Sequence, residues 1–206
     1  MQDRLTCIAK EETMKKPDIP FNEISRLAVL ASLGVLDTDS DEKLDRITRI
    51  HNRKGFVEIA EKALRLCKRD GIESSLCFMD LNRFKEINDK YGHDEGDRVL
   101  ISFSNIIRKE SRDSDIVGRL GGDEFVVWLY KSGETAACQY VERVKETIKN
   151  VYSSLEKPYR VDFAHGIVEI PGNSDIELEE AFKMADAEMY KSKGKERNLR
   201  RGGIGE

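Results

Sequence analysis

The hydrophobic positions of this chain follow two spacings, and each change of spacing marks an element. Phe56, Ile59, Ala60, Ala63, Leu64 and Cys67 form an uninterrupted i, i+3, i+4 stripe, which predicts an amphipathic helix capped by Asn52 and stopped by Gly71. Leu76, Cys77, Phe78 and Met79 form a short continuous apolar run, as in a strand covered on both faces, and the run ends on Asp80. Two helical stretches follow, broken at Tyr91-Gly92-His93: one from Arg83, the other with Val99, Leu100, Phe103, Ile106 and Ile107 on a single face. Strands are predicted near 115–120 and 123–130. A helix over 134–152 turns Ala137, Tyr140, Val141, Val144, Ile148 and Val151 inward; then come a strand over 160–170 and a last helix with Leu178, Ala181, Phe182, Ala185 and Met189.

Upstream, residues 1–20 are polar, contain Pro17 and Pro20 and read as a mobile arm. Ile24, Leu27, Ala28 and Ala31 predict a short helix over 21–33, ended by Gly34, and Asp39 with Glu42 makes a capping-box pattern ahead of a second helix carrying Leu44, Ile47 and Ile50. Helices and strands alternate and one neighbouring strand pair is a hairpin. The fold class is therefore α+β, a mixed central β-sheet flanked by helices on both faces.

The hairpin holds the candidate chemistry. Gly121 and Gly122 lie between apolar runs, can take the positive φ angles of a two-residue turn, and let a bulky anion approach the backbone. Asp123 and Glu124 follow at once. On a strand, alternation sends them to opposite faces, so only one would meet a partner docked on one face. Alone, such a segment is most often a surface hairpin, Asp80 a strand-end cap for the next helix, and Arg112-Asp-Ser-Asp115 a solvated loop.

Composition narrows the setting. The chain has 206 residues, 39% of them apolar, which suits one domain of about 150 residues with an appendage. A formal charge of −4 disfavours nucleic acid or an anionic membrane as the main partner. Cys7, Cys67, Cys77 and Cys138 lack metal-binding or paired spacing, and Cys67 and Cys77 sit in apolar patterns, as reduced core thiols of a cytoplasmic protein do. No apolar run approaches the ~18 residues of a membrane span.

Residues 121–125 read Gly-Gly-Asp-Glu-Phe. With the block Met79 to Asp89, the block Tyr91 to Asp97, and Ala185 to Tyr190 followed by Lys193, Arg197 and Asn198, this chain resembles the GGDEF family of diguanylate cyclases over roughly residues 45–200. The resemblance implies the palm-like fold shared with nucleotidyl cyclases and polymerases. It divides the chain into an N-terminal extension, 1–44, and a cyclase domain, 45–206. Within the extension, the stretch from Asn22 resembles the first helices of a GAF sensor domain, without the GAF core.

The same resemblance implies roles for individual residues. Asp80, Asp123 and the carbonyl of Leu81 hold Mg2+, with manganese as an alternative, and Glu124 either binds a second metal or takes part in deprotonation. Lys85, Lys193 and Arg197 hold phosphates, beside the open backbone of Gly121 and Gly122. Asn88 and Asp97 read guanine: a carboxylate accepts from its N1–H and amino group, whereas adenine presents an acceptor at N1. Arg112 and Asp115 match an inhibitory product site. The chain departs from the family pattern at Asn82, usually Asp, at Glu196, usually Gly, and at His165, commonly Ser. His165 is assigned no catalytic role.

The implied activity is synthesis of cyclic di-GMP from two GTP with release of two pyrophosphates, by a homodimer with cyclic di-GMP as feedback inhibitor. A catalytically silent module that binds cyclic di-GMP or GTP and signals through a partner is the alternative, and its usual mark is a degraded motif. A cyclase making a mixed cyclic dinucleotide is disfavoured by Asp97.

Overall fold

A computed structural model of the chain describes residues 41–202, with side chains as far as Lys193. The arm over 1–20 with Cys7, the helix over 21–33, and the side chains of Glu196, Arg197 and Asn198 lie outside the described residues. The elements run β1 (His51–Asn52), α1 (Arg53–Asp70), β2 (Ser74–Leu81), α2 (Phe84–Tyr91), α3 (His93–Glu110), β3 (Ile116–Gly121), β4 (Glu124–Tyr130), α4 (Glu134–Ser154), β5 (Phe163–Ile170) and α5 (Leu178–Gly202). The caps expected for α1 are present: Asn52 accepts from the Gly55 N–H at 2.9 Å, and Gly71 ends the helix at φ 65°.

Five strands form one sheet in the order β1-β3-β4-β2-β5, with β1 parallel to β3 and the other neighbours antiparallel. Alternation along β2 and β4 divides the core in two. Cys77, Met79, Leu81, Phe125, Val127 and Leu129 face α3 and α4, where Phe103 packs edge-on against Phe125 at 4.7 Å. Leu76, Phe78, Val126 and Trp128 face α1 and α5. Each large side chain so buried contributes about 1.5–3 kcal/mol. Cys67 and Cys77 are buried free thiols, as expected, and burial raises the pKa of both.

Two elements differ from expectation. The helix meant to carry Leu44, Ile47 and Ile50 does not form; a 3-10 turn covers Asp41–Lys43 and the chain then wraps around a carboxylate. Asp45 accepts from the N–H groups of Ile47 (3.2 Å) and Thr48 (2.8 Å) and from the Thr48 hydroxyl (2.7 Å). Aspartate competes with helix formation by capturing nearby amides, and here Arg119 adds a further bond to it from β3, at 2.9 Å. In addition, the strand expected from 160 begins only at Phe163. The preceding segment instead packs on the start of α3, where the Glu95 carboxylate accepts from Lys157 at 2.7 Å and from the Tyr159 hydroxyl.

That contact has a measurable acid dependence. Hydrogen bonds from Lys157, Tyr159 and Arg98 hold the Glu95 carboxyl well below its ordinary value, at about 2. A depressed carboxyl pKa stabilises the fold fully above the unfolded value, near 4.5, and the contribution fades as pH falls toward 2. Wild type should therefore exceed Glu95→Gln in unfolding free energy at pH 6, and the two should converge between pH 4 and 2. Urea titrations at each pH check this; a gap that stays constant over that range would contradict it.

Candidate active site

Asp80 stands next to the last residue of β2 and shares the alternation of Leu76 and Phe78, so it lies on the α5 side of the sheet. There it meets Lys193, whose ammonium is 2.7 Å from Oδ1 of Asp80. Lys193 reaches it because α5 packs closely along β5: a side chain at Gly166 would collide with the backbone of Ala185 and Met189. Across the other edge of β2, Glu124 is in register with Asp80, and the Leu81 N–H donates to the Asp123 carbonyl at 3.2 Å.

The hairpin turn lies one residue further on than expected. Gly121 still pairs, opposite Glu124, after a register shift between Arg119 and Gly121; the two loop residues are Gly122 (φ 52°) and Asp123. Asp123 is thus not on a strand, and the alternation that would have separated it from Glu124 does not apply. Both carboxyls feel Asp80. Burial, then the Asp80 carboxylate, raise the Asp123 carboxyl above its ordinary value; burial, Asp80 and Asp123 do the same for Glu124.

Such a cluster suits a divalent cation, since positive charge relieves the mutual repulsion. Among the described residues no three Asp, Glu, His or Cys side chains form a complete cage. Asp80 and Asp123 supply two mutually repelling carboxylates, and magnesium commonly takes few protein ligands and completes its shell from phosphates and water. The residues therefore fit the ion, with Lys193 supplying positive charge at the same carboxylates.

Arg119 holds the turn in shape. Its guanidinium donates twice to the Gly122 carbonyl, at 3.0 and 2.7 Å, and its third arm reaches Asp45 at 2.9 Å, with only 8% of the arginine exposed. Neither Arg119 nor Asp45 was singled out from the sequence as part of the site. The one local signal was the Asp-x-x-Thr spacing of Asp45 and Thr48, which suits a side-chain-capped turn.

The remaining expected site residues fall in two places. Arg83 takes φ 58°, the left-handed region, and turns the chain from the end of β2 into α2, which carries Lys85 in its first turn and Asn88 one turn on. Asn88 packs against Gly96, the residue before Asp97, at the corner between α2 and α3. Arg112 and Asp115 sit apart, in the turn before β3. The carboxylate of Asp115 accepts from the N–H of Arg112 at 2.8 Å and of Tyr130 at 3.1 Å, and so shapes the turn; Arg112 is exposed. His165 is half-buried on β5, opposite Met79, and burial lowers its pKa below the ordinary value.

The family described as "Diguanylate cyclase, GGDEF domain" matches residues 42–199. The bifunctional diguanylate cyclase/cyclic di-GMP phosphodiesterase MucR of Pseudomonas aeruginosa is 34% identical over 154 residues, covering 75% of this chain and 22% of MucR. The diguanylate cyclase DgcS of Shewanella oneidensis is also 34% identical over 154 residues, covering 75% of this chain and 50% of DgcS. The chain thus spans half or less of the length of these relatives. Among solved structures, a form of YfiN (TpbB) from P. aeruginosa comprising only the GGDEF domain superposes with a TM-score of 0.66 at 31% identity, covering 74% of this chain and 89% of that one. The GGDEF domain of DgcB from Caulobacter crescentus, in complex with c-di-GMP, shares the fold with a TM-score of 0.68 at 24% identity, covering 74% and 88%.

Proposed function

Because this chain belongs to the GGDEF family of diguanylate cyclase domains, we propose that it condenses two GTP into cyclic di-GMP, with residues 45–206 as the catalytic unit and 1–44 as its extension. The observation that carries this reading is the meeting of three separate sequence blocks: Asp80 in register with Glu124, Leu81 bonded to Asp123, and Lys193 on Asp80. The 3′-hydroxyl oxygen of each GTP forms a bond to the α-phosphorus of the other, the bond to the β-phosphate oxygen breaks, and pyrophosphate leaves. Magnesium, when bound, lowers the pKa of the attacking hydroxyl and offsets phosphate charge.

Asp80, Asp123 and the Leu81 carbonyl are the residues to hold it. Glu124 either joins that set or takes the hydroxyl proton. Lys85, Lys193 and Arg197 bear the charge of the leaving group, which grows in the transition state. Each site takes one GTP and the reaction joins two symmetrically, so the working unit is a two-fold homodimer. Its substrate places it in the cytoplasm, and no helix among the described residues is long and apolar enough to cross a membrane.

Incubation of the protein with magnesium and GTP, followed by mass identification of products over a dilution series, tests the reading. Cyclic di-GMP and pyrophosphate in a 1:2 ratio are expected, at a specific activity that rises with protein concentration. Binding of GTP without any product would favour the silent-module alternative.

Asp97 gives the base preference. Replacing it by Ser removes the acceptor pair for guanine and the repulsion against adenine N1, a difference on the order of 1–3 kcal/mol. The preference for GTP over ATP should fall about tenfold or more in competition assays. An unchanged ratio would remove Asp97 from the base site.

Arg112 tests feedback. Arg112→Ala takes away a charge-assisted donor worth about 1.5–3 kcal/mol to a bound product, so the inhibitory concentration of cyclic di-GMP should rise about tenfold or more with little change in the uninhibited rate. Asp115 is the poorer probe, since its carboxylate also holds two backbone amides. Equal inhibition of wild type and Arg112→Ala would return the pair to being a charged turn.

A further inference from the structure

A cavity of about 830 Å3 opens where the C-terminal half of α4, the segment 155–162 and the Asn82–Arg83 bend meet. Neither Asp80, Asp123, Lys85, Asp97 nor Lys193 lines it, so it is separate from the carboxylate cleft. Its volume lies in the ~300–1,000 Å3 range of small-ligand sites. The walls have two chemistries. The half-buried rings of Tyr152 and Tyr159 supply apolar surface, and five cations stand against two carboxylates, in a chain whose overall charge is −4.

Two of the five cations are already engaged, Lys145 with Glu142 at 2.9 Å and Lys157 with Glu95 at 2.7 Å. Arg83, Lys149 and Arg160 are exposed and make no ion pair among the described residues. Of the carboxylates, Asp162 is drawn inward, accepting from the Phe163 N–H at 2.8 Å and from the Asn82 amide at 3.4 Å, and Glu156 lies exposed at the rim. Unpaired cations around a concave, partly apolar wall focus positive potential into it and raise the local concentration of anions. Arginine in particular suits phosphate, through its forked donors.

We propose that this cavity is a second binding site, for a small ligand that carries two or more phosphate charges on a planar ring. The charges lie among Arg83, Lys149 and Arg160, and the ring lies against Tyr152 and Tyr159. Such a ligand also touches the loop that follows Asp80, because Asn82 bonds Asp162 through both its amide side chain and its backbone N–H, the latter at 2.8 Å.

The test is ATP titration without divalent metal, followed by amide NMR, on wild type and on Lys149→Glu/Arg160→Glu. Both positions are exposed, so the variant should keep its melting temperature; Lys149→Gln/Arg160→Gln serves as a milder second variant. Saturable shifts at residues 148–163 are expected, with affinity lowered tenfold or more by charge reversal and less by the glutamines. Inorganic pyrophosphate should bind at least tenfold more weakly than ATP. Equal affinity for the two would overturn the ring assignment. Shifts confined to the cleft at Asp80 and Asp123, or an affinity indifferent to both variants, would overturn the site. None of these readouts uses cyclase activity, so failure here is distinct from failure of the cyclase reading.

Discussion

Asp123→Asn should lower cyclic di-GMP formation by on the order of 10³-fold or more while leaving the fold intact. The change is nearly isosteric and lies in a turn, and what it removes is one negative charge from a cluster in which burial and Asp80 already hold the Asp123 carboxyl above its ordinary value. That raised value means that the ionised form is disfavoured in the folded protein. Neutralising it therefore relieves repulsion instead of breaking a stabilising contact, so the melting temperature should stay the same or rise slightly. Loss of function with retained or improved stability is the signature of a group kept for chemistry at the expense of the fold. Turnover by coupled pyrophosphate release and thermal unfolding by circular dichroism measure the two halves. Normal turnover would remove Asp123 from the metal site, and a large drop in melting temperature would make it a structural residue.

Gly166→Val should be the most damaging single change in the sheet. A β-carbon at Gly166 meets the backbone of Ala185 and Met189 on α5, and backbone cannot turn aside as a flexible side chain can. The helix must shift bodily, and overpacking of this kind costs about 3 kcal/mol or more at such a contact. For a domain of this size that corresponds to roughly 6–12 °C in melting temperature. The damage should extend to activity in the molecules that remain folded, because α5 delivers Lys193 to Asp80. Gly166→Ala should show a smaller effect in the same direction. An unfolding midpoint for the valine variant equal to that of wild type would show that β5 and α5 are not in backbone contact.

Much of the fold was legible because its elements bury one face. The α1 stripe, the apolar run of β2 and the periodic positions of α3, α4 and α5 all reappear in the two core clusters. Strand order was not legible in periodicity; the family resemblance supplied the palm-like fold class, which the mixed five-stranded sheet matches. In the first failure a distant partner decided a local choice. Leu44, Ile47 and Ile50 carry helical spacing behind a capping box, yet Asp45 binds its own loop and an arginine 74 residues away. Two glycines suggested that both formed the turn, but Gly121 remains paired and the turn moves to Gly122 and Asp123. That shift decides how the three carboxyls meet.

The Arg119 contact bears on how such domains can be recombined. One guanidinium joins the Asp45 loop, near the start of the segment that matches the GGDEF family, to the Gly122 carbonyl inside the hairpin turn, and burial leaves little water to substitute for either bond. Asp45 and Arg119 stand 74 positions apart, and through them the loop and the turn depend on each other. A chimera that imports a hairpin from a relative without its matching loop, or a fusion joined downstream of Asp45, would strand a buried arginine and slacken the turn that carries Asp123. Fusion points placed before Asp41 keep the loop and the turn on the same side of the junction.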